Sequence, residues 1–132
     1  MKKIILLIVM LTPSLFSGCI VGAGMGDYKI EMPEDYAILR TSSESITIGK
    51  SEGDGAWSTI VPSKVTEVYL GENYIVAKQV TVNSYTYWII NLKDDTIYDR
   101  LTDNEFLEKL QELNIKVNLK PIDNFKKEYG VK

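Results

Sequence analysis

The chain has 132 residues, of which 45% are hydrophobic and 25% are charged, with a formal net charge of −3 and no histidine. This length supports one domain with one core, and the near-average composition excludes disordered and fibrous proteins. The lack of histidine and the single cysteine exclude the common zinc sites, histidine-based triads and disulfide frameworks. The sequence therefore predicts no metal, no cofactor and no enzymatic activity.

The front of the chain has the three-part layout of a secretory signal peptide. Two lysines follow Met1, residues 4–11 are an unbroken apolar run, and a small, helix-breaking stretch precedes Cys19. The segment Leu15-Phe16-Ser17-Gly18-Cys19 resembles the lipobox of bacterial lipoproteins, with Phe16 at a position that is most often Leu. The resemblance implies that the chain is cut before Cys19 and that the Cys19 thiol carries a diacylglycerol.

An alternative interpretation of the same segment is an uncleaved transmembrane helix. Residues 4–25 contain no charge, and a membrane span needs roughly 20 apolar residues. Pro13 and the glycines of this stretch disfavour a continuous helix, and a free secreted protein is the third possibility. We therefore expect residues 1–18 to be a signal peptide, residues 19–26 to be a flexible tether, and the folded part to lie outside the cytoplasm in the bacterial cell envelope.

Cleavage before Cys19 leaves an acidic body of 114 residues. It contains 13 basic and 18 acidic residues, which gives a net charge of −5. This charge argues against nucleic acid and against anionic lipid headgroups as partners. Membrane attachment is therefore expected through the lipid on Cys19, and stable anchoring takes more than one acyl chain.

Residues 27–132 are predicted to form a single β-rich domain with a C-terminal helix. Turn residues interrupt short β-favouring runs about every eight to twelve residues, which is typical of an antiparallel meander or sandwich. The predicted strands are residues 28–31, 36–41, 45–49, 64–70, 74–82, 85–92 and 96–98. The intervening residues 50–63, with Gly53-Asp54-Gly55 and Pro62, are predicted to be an irregular loop.

Residues 64–92 are predicted to form a three-stranded meander. If Asn83-Ser84 is a two-residue loop, Val82 faces Tyr85 and Ile75 faces Leu92. Side chains then alternate across the sheet so that both faces of the last strand are apolar. This pattern predicts an interior position for that strand.

The hydrophobic period changes after residue 101. Residues 102–105, Thr-Asp-Asn-Glu, fit a capping box, and the apolar spacing that follows predicts an amphipathic helix over residues 103–113 that covers one sheet face. Residues 115–119 alternate like a further strand, and residues 121–129 are predicted to add a last helical turn or two. The predicted fold is α+β, a mostly antiparallel β-meander of about six to eight short strands with one C-terminal amphipathic helix packed on it.

Carboxylates are the main candidates for chemistry in a chain without histidine. They fall in predicted turns or at the helix start, where they serve local backbone needs: Glu34-Asp35, Glu52 with Asp54, Asp94-Asp95, and Asp103 with Glu105. The run from Ser51 to Gly55 offers oxygen ligands for calcium but lacks the acidic spacing of a calcium loop. A solvated turn is therefore the favoured interpretation of that run.

Five aromatic residues are candidates for an interaction surface. They are Trp57, Tyr69, Tyr74, Tyr85 and Tyr87. Exposed Tyr and Trp are common anchors of protein interfaces. The alternative, which the sequence favours for most of them, is that they fill a core that holds only three Phe.

The chain after Cys19 resembles a family of small bacterial lipoproteins of unknown function in which Gly-Asp-Tyr follows the lipobox. The likeness is carried by residues 26–28, 60–68, 73–79 and 87–90. The resemblance implies no activity. Two functions stay open: a membrane-anchored, non-catalytic binding module with an envelope or secreted protein as its partner, or a protective lipoprotein that inhibits a hydrolase or confers immunity to a toxin.

Overall fold

A computed structural model describes residues 27–131, so the predicted signal peptide, the tether and Cys19 lie outside the described residues. Within them, two antiparallel sheets and two helices are formed. The first sheet has the order β1-β2-β3-β4, with β1 Tyr28–Glu31, β2 Tyr36–Arg40, β3 Ile46–Gly53 and β4 Ala56–Val61. The second has the order β8-β7-β6-β5-β9, with β5 Val65–Leu70, β6 Tyr74–Val80, β7 Tyr85–Asn91, β8 Ile97–Leu101 and β9 Lys120–Pro121. The helices are α1 Asp103–Leu113 and α2 Ile122–Tyr129.

The main core lies between the two sheets. Strands of both sheets bury side chains there, among them Ile30, Ile38, Ile48, Val68, Ile75 and Ile90. The α2 helix contributes Ile122 and Phe125 to this core. Full burial of each such side chain stabilises the fold by about 1.5–3 kcal/mol, so the sandwich is held together mainly by packing.

A second core lies on the outer face of the second sheet. There Val76 of β6 and Ile89 of β7 are buried beneath Phe106 of α1. The rings of Tyr87 and Phe106 are stacked, with centroids 4.0 Å apart and planes 3° apart. The second sheet is therefore apolar on both faces, which confirms the predicted interior position of β7 between β6 and β8.

The seven predicted strands are present, and the predicted α+β class is confirmed. The α1 helix spans the predicted residues, and both hydrogen bonds of its capping box are formed. The Thr102 hydroxyl accepts from the Glu105 N–H at 3.3 Å, while the Glu105 carboxylate accepts from the Thr102 N–H at 3.0 Å. Residues 102–105 alone were sufficient to predict the start of α1, because a capping box satisfies backbone donors with residues only three positions apart.

The loop predicted for residues 50–63 is wrong, because β3 continues to Gly53 and β4 runs from Ala56. Gly53, Asp54 and Gly55 all have positive φ and form the turn that joins these two strands. Trp57 therefore lies on a strand that pairs with β3 and not in an irregular loop. The strand was missed because it lies at a sheet edge, half of its side chains are exposed, and it carries no regular apolar alternation.

The predicted hairpin register between β6 and β7 is also wrong, by two residues. Val80 pairs with Tyr85 and Ile75 with Ile90, since the turn comprises residues 81–84 and closes through a 2.8 Å bond from the Thr81 N–H to the Ser84 carbonyl. A shift of two preserves the face of every side chain. The predicted assignment of β6 and β7 side chains to the two faces of the sheet is therefore correct.

The C-terminal part contains two helices where one was predicted to pack on the sheet. Residues 115–119 form no strand, although Ile115, Val117 and Leu119 do pack against the second core. Pairing resumes at β9, where Pro121 lies opposite Glu67 of β5. The α2 helix then extends for eight residues, about two turns, within the range predicted for it.

Because neighbouring strands are antiparallel, the connections between them lie at two ends of the sandwich. The entry end is where β1 begins at Tyr28, and it holds the connections 41–45, 62–64 and 81–84 together with the start of α1 at Thr102. The distal end holds the turns between β1 and β2, β3 and β4, β5 and β6, and β7 and β8.

Truncation of Phe106 should test the second core. We expect Phe106→Ala to lower the free energy of unfolding by about 3–5 kcal/mol, because it removes the buried ring that stacks on Tyr87. Its neighbour Leu107 is 58% exposed, so Leu107→Ala should cost less than about 0.5 kcal/mol. Urea denaturation followed by circular dichroism measures both, and equal losses would contradict this account of the second core.

Candidate functional site

The structure separates the five aromatic candidates. Tyr69, Tyr74 and Tyr87 lie on the outer face of the second sheet and pack, partly buried, against the second core. Trp57 and Tyr85 are more accessible, at 36% and 39% exposure, and lie on different sheets at opposite ends of the sandwich.

Tyr85 lies at the entry end, beside the start of α1. Its hydroxyl donates a 3.0 Å hydrogen bond to the Asp103 carboxylate, and the Lys78 ammonium lies 4.2 Å from its ring centroid. The adjacent Val80 and Val82 are 40% and 96% exposed. This part of the sheet extends beyond the cover of α1, so an apolar surface meets solvent there.

Trp57 borders a distal groove, which is the candidate binding site. The groove has a volume of about 410 Å³ and is lined by Lys29, Glu31, Met32, Glu34, Asp35, Tyr36, Ser51 and Trp57. The Lys29 ammonium lies 5.6 Å from the Trp57 ring centroid and 3.4 Å from a Glu31 oxygen. A cation of this chain thus already occupies the kind of environment, an aromatic face beside carboxylates, that a basic partner would use.

Three side chains fix one wall of the distal groove. The buried Tyr36 donates a 2.9 Å hydrogen bond to Asp95 Oδ1, and Lys50 donates to the same oxygen at 2.8 Å. Burial, followed by the hydrogen bond to Asp95, raises the pKa of Tyr36 above its ordinary value, while the hydrogen bonds from Lys50 and Tyr36 lower the pKa of Asp95. Tyr36 therefore stays protonated and Asp95 ionised, and the two sheets are joined across the distal end.

The distal end also concentrates carboxylates that are far apart in the sequence. Its turns and strand ends carry Glu31, Glu34, Asp35, Glu52, Asp54, Glu72, Asp94 and Asp95. Four of these residues, Glu34, Asp35, Asp54 and Asp95, adopt positive φ, a backbone region that Asn and Asp tolerate better than most residues. The sequence placed most of these acids in turns, but their convergence depends on β4, which the sequence did not predict.

The carboxylates do not gather into a metal centre. Across residues 27–131, no group of three or more Asp, Glu, Cys or His side chains is arranged to hold a metal ion. The same residues include no helix long and apolar enough to cross a bilayer. The chemistry that the distal groove offers is recognition of positive charge next to an aromatic ring.

The geometry defines a small two-sheet α+β domain with an aromatic and acidic groove at one end. Residues 33–124 match the model of a family described as a protein of unknown function, DUF3997, and the chain belongs to this family. No curated protein and no solved structure matches the chain. The matched residues include the five aromatic candidates and exclude Cys19 and residues 26–28.

The bond network around Asp95 should make stability depend on pH. Because the folded-state pKa of Asp95 is lowered, its contribution is present above the unfolded pKa and is lost as the pH falls through the folded pKa. We expect Asp95→Asn to destabilise the protein at pH 7 and this difference to shrink between about pH 5 and pH 2. Urea denaturation at several pH values measures it.

The matched control is Asp54→Asn, which removes a carboxylate from another left-handed position of the distal end. It should change the free energy of unfolding by no more than about 0.5 kcal/mol at either pH. An Asp95→Asn effect that is equally large at pH 7 and pH 2 would show that the ionised carboxylate is not what joins the sheets.

Proposed function

We propose that this protein is a membrane-anchored, extracytoplasmic lipoprotein of the bacterial cell envelope and that its domain is a non-catalytic binding module for a basic protein. The observation that carries the binding proposal is the distal groove, where Trp57 and carboxylates form one accessible surface. The anchoring proposal rests on the basic, apolar and small-residue segments that precede Cys19.

The two ends of the sandwich differ in charge, which supports a directed binding role. The distal turns and strand ends carry eight acidic residues, with Lys50 bonded to Asp95 and with Lys93 nearby. The entry end carries four acidic residues: Asp27, Glu44, Asp103 and Glu105. Its basic residues include Arg40 and Lys64, and Lys64 pairs with Glu44 at 3.4 Å. A negative electrostatic potential concentrated at one end of a protein accelerates association with a positively charged partner and orients that partner.

A basic partner would find both charge and an anchor in the distal groove. An arginine or lysine that displaces Lys29 from the Trp57 ring would gain a cation–π contact next to the Glu34 and Asp35 side chains. Trp is among the residues that most often dominate interface energetics. Most of the residues that line the groove are charged or polar, whereas small-molecule sites are lined mainly by apolar side chains.

The same acidic groove supports the second function, a protective lipoprotein. An inhibitor of a basic hydrolase or a toxin immunity protein needs a complementary acidic surface that projects from the membrane. The two functions differ in outcome: a protective protein blocks the activity of what it binds.

Lipid attachment is tested directly on the membrane fraction. We expect mass spectrometry to find residues 19–132 with a diacylglycerol on the Cys19 thiol, and Cys19→Ala to abolish the modification because the thiol is its acceptor. Cys19→Ala should also redistribute protein away from membranes. An unmodified chain that retains residues 1–18 would contradict the lipoprotein and support the uncleaved helix.

Binding of a basic protein is tested with lysozyme as the probe. The double variant Glu34→Asn with Asp35→Asn removes two charges while keeping residues that accept positive φ. We expect it to weaken the affinity about tenfold at low ionic strength, and Trp57→Ala to weaken it comparably. Isothermal titration calorimetry at two salt concentrations measures the affinity, and turnover of the probe distinguishes the protective function from simple binding.

The control removes two charges from α1, on the opposite side of the second sheet from the main core. Glu108→Gln with Glu112→Gln has the same net charge as the distal double variant, and its affinity should stay within about twofold of the parent protein. Equal weakening by the two double variants would show that net charge alone matters, and no measurable binding by the parent would contradict the proposal for this probe's class of partner.

A further inference from the structure

We propose that the β6–β7 turn is a second membrane contact, in which the exposed valines of the entry end enter the lipid interface beside the anchor. The hairpin tip, defined here as Val80, Val82 and Tyr85, is apolar and solvent-facing. This inference rests on the proposed lipid anchor, because that anchor determines which end of the domain faces the bilayer.

Among the large hydrophobic side chains of residues 27–131, Val82 has the highest exposed fraction. Val82 is 96% exposed, and Val80 and Tyr85, which pair across the hairpin, are 40% and 39% exposed. Single exposed apolar residues are ordinary, but here three adjacent ones occupy one projecting turn. A Val-rich tip bordered by a Tyr matches the interface of a membrane, where aromatic rings and short apolar side chains lie at the headgroup boundary.

The position of the tip relative to the tether supports this occupant. The chain enters the fold at Tyr28, at the same end of the sandwich as the β6–β7 turn. Asp27 is eight positions after Cys19, so a lipid on Cys19 keeps the entry end within at most about 30 Å of the membrane surface. The distal end lies a full strand length farther away.

The surface between the tether and the tip is continuous. Lys64 lines a groove of about 300 Å³ that includes Tyr28 and Arg40, and it also lines a second groove that includes Val80 and Val82. Lysine and arginine reach phosphate headgroups while their stems lie on apolar surface. Two acidic residues near this surface already have partners, since Glu44 pairs with Lys64 and Asp103 accepts a hydrogen bond from the Tyr85 hydroxyl.

The test measures contact between residue 82 and lipid in the acylated protein. Val82→Trp and, as the matched control, Glu72→Trp in the exposed distal β5–β6 turn are each made with Trp57→Phe, which leaves the buried Trp88 as the native indole. Both proteins are reconstituted into vesicles of phosphatidylcholine with a minor fraction of phosphatidylglycerol, with or without bromine on the acyl chains. Flotation of the vesicles and the quenching of tryptophan emission are then measured.

We expect both variants to float with the vesicles. Brominated lipid should remove about half of the emission that Val82→Trp adds and less than about a tenth of that added by Glu72→Trp, because an interfacial side chain reaches the acyl boundary. Flotation without quenching at position 82, or equal quenching at the two positions, would overturn the hairpin contact while leaving the anchor intact. Failure of both variants to float would overturn the anchor and the contact with it.

Discussion

The structure depends on the β6–β7 pair, whose side chains are apolar on both faces. Ile75 and Ile90 enter the core between the sheets, while Val76 and Ile89 lie beneath α1. A strand pair that is buried on both sides needs a cover on each. The first sheet supplies one cover, and α1 with residues 115–119 supplies the other, so the layered architecture follows from this one pair.

Local patterns predicted those elements whose signals lie within a few residues of one another. The capping box located the start of α1, and alternation assigned each β6 and β7 side chain to its correct face. The register was missed because turn length is decided by the Thr81–Ser84 bond, which the neighbouring Asn83 does not reveal. β4 was missed because an edge strand with exposed Trp57 and Thr59 lacks an apolar alternation, and its Gly-Asp-Gly turn resembles any flexible loop.

The sequence also could not predict which residues lie together in the candidate surfaces, because this depends on how the strands are arranged. Acidic residues were predicted in turns, yet only the number and direction of the strands decide which turns meet. One missing strand reverses the expected direction of the strands that follow it in the chain. The exposure of the aromatic residues likewise depends on elements that are distant in the sequence. Tyr69, Tyr74 and Tyr87 lie on the same sheet face as Tyr85. The packing of α1 and residues 115–119 on that face leaves the first three partly buried and Tyr85 39% exposed.

The last helix closes against the first strand. The Lys126 ammonium lies 4.6 Å from the Tyr28 ring centroid, and Phe125 shares a core with Ile30. Such contacts join residues nearly a full chain length apart, and contacts of this kind form late and slowly. The contacts between α2 and β1 therefore cannot form during synthesis until the last helix of the chain is available.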